Sequence, residues 1–223
     1  MQHEIYPNNH RHFALILAAG RSRRMGTCKT TLPWHNNRTL LRYQAEQLLL
    51  AGVTPIVVLG SHNAHRQTDC PDGSQVVINQ QCDNPSGTLR ERGKTSSILT
   101  GLNSLPQEFS SIIISAVDQP RSVDVYRTLL QTYERTKAAI VAPCYRQKLG
   151  HPLLFDSKLL PVLLNIKEST FGLRQVVKDF CHHLLKIDFC TEEVLSDLNR
   201  TAEYQQLLTY LRHKQNLGVG SLR

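Results

Sequence analysis

A glycine- and arginine-rich stretch at residues 17–29 contains the residue types best suited to hold an anionic ligand. Gly20 and Gly26 permit close backbone approach, so main-chain N–H groups can turn toward a phosphate chain. Arg24 and Lys29 can neutralise phosphate oxygens, the arginine through its planar fork and the lysine as a point charge. The stretch is neither a Walker A loop nor a GxGxxG loop. It predicts a polyphosphate site, and the alternative is a tight turn with solvated arginines.

Asp118 is the carboxylate best placed to bind a metal ion. It follows the apolar run at residues 112–117 and precedes Gln119 and Pro120. Such a run predicts a buried strand, and ligands of open α/β sheets bind beyond the carboxyl ends of the strands. Because Mg²⁺ is usually held by one or two carboxylates together with substrate phosphates, we expect a Mg²⁺ site there. The alternative is a turn or a helix N-cap.

The remaining pattern alternates short apolar runs with helical spacings, which predicts a three-layer α/β/α fold with a mostly parallel sheet. Strands are expected at residues 13–19, 55–59, 75–78, 111–117, 138–142, 152–155 and 184–189. Helices are expected at residues 39–51, 97–105, 123–136, 158–164, 171–180 and 201–211. We expect one domain at residues 12–212, a polar lead-in at 1–11 and a tail at 213–223.

Composition narrows the classes of function. The 223 residues are 40% hydrophobic, which is far from a disordered composition. No apolar run is long enough to cross a bilayer and no secretory signal is evident, so we expect a cytoplasmic protein with reduced cysteines. The net charge is +8, and its densest cluster lies in the glycine-rich stretch. That concentration favours a compact anionic ligand over nucleic acid.

The full string from Leu17 to Pro33 resembles the signature LAAGxSxRMGxxKxLLP of the MobA/MocA-like nucleotidyltransferases, a group within the GT-A-like, Rossmann-like nucleotidyltransferase superfamily. The matching positions are Ala18, Ala19, Gly20, Ser22, Arg24, Met25, Gly26, Lys29, Leu32 and Pro33. Thr31 departs from the pattern. The sequence at residues 118–120 is similar to the family's DQP, and residues 150–155 resemble the GHPxxF of its molybdopterin-cytidylyltransferase branch.

This resemblance implies a set of site residues. The implied catalytic residues are Arg24, Lys29 and Asp118. The implied nucleotide-binding residues are Leu17, Ala18, Ala19, Gly20, Arg24, Lys29 and Ser97, the last from a stretch similar to GxxxSLxxGL. Gly150 and His151 would bind the acceptor, although His151 could equally be a structural loop residue. The metal ligands would be Asp118 and Asn199, with Asp197 as an alternative to Asn199 and a helix cap as another reading of that segment.

The resemblance also implies a reaction. A Mg²⁺-dependent cytidylyltransferase would transfer CMP from CTP to the phosphate of molybdopterin and release pyrophosphate, because an Ala-Ala-Gly opening goes with cytidylyl donors in this family. A molybdoenzyme or its chaperone is a further expected partner. Two alternatives stay open at this point. One is transfer to another acceptor, such as a sugar phosphate or an alcohol phosphate, and the other is a non-catalytic module that delivers the cofactor.

Overall fold

The computed structural model describes residues 12–22, 27–34, 38–83, 94–198, 204–205 and 208. One eight-stranded sheet runs through them. Its strands are β1 (His12–Leu17), β2 (Thr54–Gly60), β3 (Gln75–Asn79), β4 (Ser111–Ala116), β5 (Ile140–Tyr145), β6 (Lys148–Leu149), β7 (Leu153–Asp156) and β8 (Leu184–Asp188). The α-helices are α1 (Leu40–Leu50), α2 (Lys94–Leu102), α3 (Val123–Thr136), α4 (Leu160–Leu163) and α5 (Leu173–Asp179).

The strand order is β3-β2-β1-β4-β7-β5-β6, and β8 pairs with β5. The pairs β1–β2, β1–β4, β2–β3 and β5–β8 are parallel, whereas β7 runs antiparallel to both β4 and β5. Every residue of β2 and β4 is buried. This explains their continuous apolar sequences, because a central strand with both faces covered has no solvent side to carry polar residues.

Two apolar cores, one on each face of the sheet, produce the three layers that the sequence predicts. On one face, Ile16 and Val57 pack with Leu41 of α1 and Leu129 of α3. On the other face, residues of α2, α4 and α5 pack against the strands that contribute Phe13, Leu15, Ile56, Ile112 and Phe155. The α/β fold class is confirmed, with a sheet that is mixed.

Several boundaries differ from expectation. Helix α2 was predicted at residues 97–105 but begins at Lys94, because the polar residues 95–97 that open it are buried against the sheet instead of lying in a loop. The two-residue strand β6 carries no apolar pattern and was not predicted. Of the helix predicted at 201–211, residues 204–205 and 208 are helical and the others lie outside the described residues. None of the helices in the described part of the chain is long and apolar enough to cross a membrane.

The register between β1 and β4 sets up the site. Leu17 pairs with Ala116, and the Val117 N–H donates to the Leu17 carbonyl at 3.1 Å. The two strands are parallel, so their carboxyl ends leave the sheet side by side. The glycine-rich stretch and Asp118 therefore begin next to each other.

Substitution of Gly101 tests how closely α2 packs on the sheet. A Cβ at Gly101 would lie 2.6 Å from Leu15 Cδ2 and 3.0 Å from Val58 Cγ2. We expect Gly101→Ala to lower the free energy of unfolding by about 1–3 kcal/mol, net of the gain that alanine brings inside a helix. Urea denaturation measures this loss in the free energy of unfolding. Leu15→Val removes the two Cδ atoms, so the double variant should lose less than the sum of the two single losses. Additive losses would contradict this packing.

Candidate active site

The glycine-rich stretch is held at both ends by hydrogen bonds. Ala18 donates its N–H to the Val58 carbonyl at 2.9 Å, and its carbonyl accepts from Asn63 Nδ2 at 2.9 Å. Further along, the Lys29 N–H donates to Ser22 Oγ at 3.1 Å, which ties the end of the stretch to its middle. Among the described residues, no atom lies within 4 Å of a Cβ built at Gly20. The described start of the stretch is therefore anchored to the sheet, with open space beside Gly20.

Lys29 and Asp118 form an ion pair across the two strand ends. Lys29 Nζ lies 2.7 Å from Asp118 Oδ2, and the two side chains are only 12% and 15% exposed. The predicted phosphate-binding lysine and the predicted metal-binding carboxylate are thus in contact. Arg24, the third predicted catalytic residue, lies outside the described residues.

A late segment, residues 193–198, lies directly along residues 118–122. The Leu198 N–H donates to the Asp118 carbonyl at 2.8 Å, and Gln119 Nε2 donates to Asp197 Oδ1 at 2.9 Å. At the other end, the Ser122 N–H donates to Glu193 Oε1 at 2.7 Å. Asp197, the alternative metal ligand, is therefore adjacent to the Asp118 loop. Asn199 lies outside the described residues.

The loop at Gly150 and His151 docks on the same 193–198 segment. The His151 N–H donates to the Val194 carbonyl at 2.8 Å. A Cβ at Gly150 would lie 2.4 Å from that carbonyl oxygen, so only glycine fits this approach. Gly150 and His151 are consequently connected to Asp118 and Asp197 through the 193–198 segment.

Burial and nearby charged groups both shift the pKa of His151. Desolvation by packed neighbours lowers the pKa of the imidazole below its ordinary value, although the residue keeps solvent contact. Arg121 and Lys94 add to the lowering of this pKa, whereas Asp197 and Asp118 oppose it. His151 is therefore neutral near neutral pH. A neutral imidazole offers one hydrogen-bond donor and one acceptor to a ligand.

Ser97, predicted to bind nucleotide, is buried and engaged. Asn79 at the end of β3 donates through Nδ2 to Ser96 Oγ and to Ser97 Oγ, both at 3.0 Å. The neighbouring Thr95 N–H donates to Glu168 Oε2 at 3.1 Å. These contacts fix the start of α2 against the sheet. A contact of Ser97 with nucleotide stays a prediction.

Comparison with known families decides the classification. Residues 14–186 match the MobA-like NTP transferase domain, which covers the sheet through most of β8. The chain belongs to the MobA-like NTP transferase family. The expectation from the signature at residues 17–33 is confirmed at the level of family and fold.

Individual relatives of this MobA-like protein carry different functional names. It is 25% identical over 204 residues to nicotine blue oxidoreductase of Paenarthrobacter nicotinovorans, covering 87% of this chain and 95% of the relative. It superimposes on Rv0371c of Mycobacterium tuberculosis with a TM-score of 0.71 and 22% identity, covering 89% and 97% of the two chains. That protein has also been solved in complex with manganese. CMP:2-keto-3-deoxy-manno-octonic acid synthetase, solved with CTP, superimposes with a TM-score of 0.69 and 14% identity, covering 92% and 99%.

The donor set of this MobA-like site fits a hard divalent cation. Asp118 offers a carboxylate at the end of β4, and a second carboxylate, Asp197, lies on the adjacent segment. Oxygen ligands of this kind suit Mg²⁺ and Mn²⁺. No group of three or more metal-binding side chains occurs within the described ranges, so substrate oxygens would have to complete the coordination.

Some residues that build the site were not predicted. Gln44 of α1 is fully buried and donates through Nε2 to Ser115 Oγ and to the carbonyls of Ala116 and Gln119. Asn63 joins the Gly60 N–H to the Ala18 carbonyl. A glutamine among the apolar positions of α1 is a signal in the sequence for a buried polar contact. Asn63 carries no such signal, since it lies in a polar stretch.

The Lys29–Asp118 ion pair generates a prediction about metal binding. In Lys29→Met, no ammonium competes for the Asp118 carboxylate, so Mn²⁺ should bind in the absence of nucleotide roughly two- to fivefold more tightly. The triphosphate should bind more weakly, because a phosphate-neutralising charge is lost. Mn²⁺ titration followed by electron paramagnetic resonance measures the first effect, and isothermal calorimetry with CTP the second.

The matched control is Lys137→Met, which removes a lysine paired with exposed Glu134 on the far end of α3. It should leave both affinities unchanged. Equal Mn²⁺ affinity in Lys29→Met and wild type would show that the ion pair does not limit access to Asp118.

Proposed function

We propose that this protein is a Mg²⁺-dependent cytidylyltransferase that transfers CMP from CTP to the phosphate of molybdopterin and releases pyrophosphate. The observation that carries the proposal is the 2.7 Å contact of Lys29 with Asp118. It lies where β1 and β4 end, beside a loop with open space at Gly20. That placement joins a phosphate-neutralising cation to a metal-binding carboxylate at the ligand edge of an α/β sheet.

The loop at residues 17–20 would receive the nucleotide. Its main-chain N–H groups beyond Ala18 would donate to phosphate oxygens. Arg24 and Lys29 would neutralise the triphosphate charge. Ser97 would limit the space near the ribose and base from the start of α2.

Asp118 and Asn199 would hold Mg²⁺, with Asp197 as the alternative partner to Asp118. When bound, the ion neutralises phosphate charge and holds the reacting oxygens in place. Leu198 and Gln119 tie the two candidate ligand segments together through their hydrogen bonds to the Asp118 carbonyl and the Asp197 carboxylate. The protein thereby fixes the separation of these segments before any ligand arrives, and such preorganisation lowers the cost of charge stabilisation.

The reaction needs no protein nucleophile. An oxygen of the acceptor phosphate would form a bond to the α-phosphorus of CTP, and the bond from that phosphorus to the β-phosphate oxygen would break. Pyrophosphate leaves with the electron pair. The acceptor phosphate is already ionised near neutral pH, so no general base is required, and positioning with charge neutralisation supplies most of the acceleration.

Gly150 and His151 would contact the acceptor. The lowered pKa of His151 makes the ring neutral, so it would orient the acceptor by a hydrogen bond. Positive charge nearby would come from the exposed hairpin residues Arg146 and Lys148. CTP as donor is supported by the Ala-Ala-Gly opening at residues 18–20 and by the related fold solved with CTP.

An oxidoreductase is the second candidate, favoured by the name of the 25% identical relative that spans 87% of this chain. The loop that would hold a triphosphate could also hold the pyrophosphate of a dinucleotide. A cofactor-delivery module is the third candidate. These functions differ in what they release or consume, so one panel of assays separates them.

A donor comparison tests the proposal directly. We expect pyrophosphate release with molybdopterin and Mg²⁺ to show a higher kcat/KM for CTP than for GTP, ATP or UTP. The same preparation is assayed, with a redox dye as the electron acceptor, for oxidation of reduced nicotinamide dinucleotides by absorbance. Cofactor binding without pyrophosphate release from any donor would favour the delivery module, and dinucleotide oxidation would favour the oxidoreductase. A panel of sugar phosphates and alcohol phosphates distinguishes other acceptors.

Asp118→Asn tests the role of the carboxylate. We expect turnover to fall by at least about 100-fold, the scale of losing one preorganised charge-stabilising group. The fold should persist, as judged by thermal unfolding. Asp124→Asn, an exposed carboxylate in the first turn of α3, is the control and should retain activity. Full activity in Asp118→Asn would remove the metal assignment.

A further inference from the structure

Arg121 is a buried cation surrounded by main-chain carbonyls. The residue is 1% exposed. Its Nε donates to the His151 carbonyl at 2.9 Å, and Nη2 donates to the Val194 carbonyl at 3.1 Å. Its Nη1 donates to the carbonyls of Pro120 and Ser196 at 2.8 and 2.9 Å. One guanidinium therefore holds three separate stretches of chain at a fixed spacing.

Each of these three stretches carries a residue of the proposed site. Asp118 lies three residues before Arg121, His151 belongs to the second stretch, and the third leads to Asp197 and Asn199. The second and third stretches also touch each other through the hydrogen bond from the His151 N–H to the Val194 carbonyl. That carbonyl accepts from both His151 and Arg121. Acceptor loop and metal-side segment are consequently joined at one point.

The charge of Arg121 has a second effect on the same groups. Burial lowers its pKa, while Tyr126 and then the carboxylates of Asp197, Glu193 and Asp118 raise it. Carboxylates gathered in one place repel each other, and a buried cation among them reduces that repulsion. Lys29 pairs with Asp118 from the loop side. Arg121 adds a second, buried positive charge near the same carboxylate.

Lysine could not reproduce this arrangement. The guanidinium donates in a plane in several fixed directions, whereas an ammonium is a compact point charge on a flexible stem. Four carbonyl acceptors on three stretches require the planar fork. The arginine at this position is thus explained by geometry as well as by charge.

We infer that Arg121 is the positioning residue that couples the acceptor loop at Gly150 and His151 to the metal-side residues Asp118 and Asp197. This inference rests on the proposed function for its catalytic consequence. Its structural half, the coupling of two segments through one side chain, holds independently of which reaction the site performs.

The structural half is tested by hydrogen–deuterium exchange of Arg121→Lys, Arg121→Gln and Arg127→Gln. Arg127 is the control, since it is exposed on α3 and donates to the Leu50 carbonyl. We expect faster exchange at the His151 and Leu198 amides in both Arg121 variants, with β1 and β2 unchanged. Unchanged exchange at both amides in a folded Arg121 variant would overturn the inference.

The catalytic half is tested by kinetics. For the folded fraction of Arg121→Lys, we expect the acceptor KM and the Mg²⁺ concentration for half-maximal rate to rise by about 10- to 100-fold, as for other residues that orient metal ligands. The KM for CTP should change little. A residue that serves stability alone would lower the melting temperature without changing these constants. Unchanged acceptor KM and metal dependence would therefore refute positioning, while the proposed function would stand.

Gly150→Ala tests the same coupling without changing Arg121. Its Cβ would press on the Val194 carbonyl and push the same two segments apart. We expect the same rise in acceptor KM, and the double variant Gly150→Ala with Arg121→Lys should lose less than the product of the single effects. Multiplicative effects would show that the two residues act separately and would contradict the coupling. If wild type shows no transfer, the proposed function fails, and the exchange experiment still decides the role of Arg121.

Discussion

The parallel pairing of β1 with β4 is the constraint on which the rest of this structure depends. It places Leu17 opposite Ala116, so two loops leave neighbouring strands at the same edge. The pairing is enforced by burial, because β4 is covered on both faces and β1 contributes to the core on each side of the sheet. A register shift of one residue would exchange the faces of every side chain in β1. The approach of Lys29 to Asp118 follows from that register.

Buried polar side chains near this edge of the sheet also fix the site by hydrogen bonds. Gln44, Asn63 and Asn79 are all buried. Gln44 donates to the Gln119 carbonyl and Asn63 to the Ala18 carbonyl, in the loops that follow β4 and β1, whereas Asn79 donates to Ser97 in the first turn of α2. Buried amides are costly unless they are hydrogen-bonded, so these contacts restrict the conformations of the two loops and of the start of α2.

The fold could be predicted from the sequence where burial alone determines structure. The bounds of the central strands β1, β2 and β4 were predicted to within about two residues. A strand buried on both faces has a continuous run of apolar residues, which is easily identified in a sequence. The start of α2 lies three residues before the predicted residue 97, since the polar residue Ser96 is buried in contact with Asn79, a partner distant in sequence. In the site, Asp118 and Lys29 could be named from their positions. The role of Arg121 could not be predicted from the sequence. All four of its described partners are main-chain carbonyls, which every residue has, so no residue type indicates the contact.

The binding of Arg121 to main-chain carbonyls has a consequence for how the sequence around the site can diverge. A carbonyl is present at every position whatever the side chain, so substitutions at His151, Val194 or Ser196 leave the acceptors of Arg121 in place. The side chains at these positions are free to change while the backbone keeps its spacing. A scaffold anchored in this way can exchange one substrate for another without rebuilding its frame.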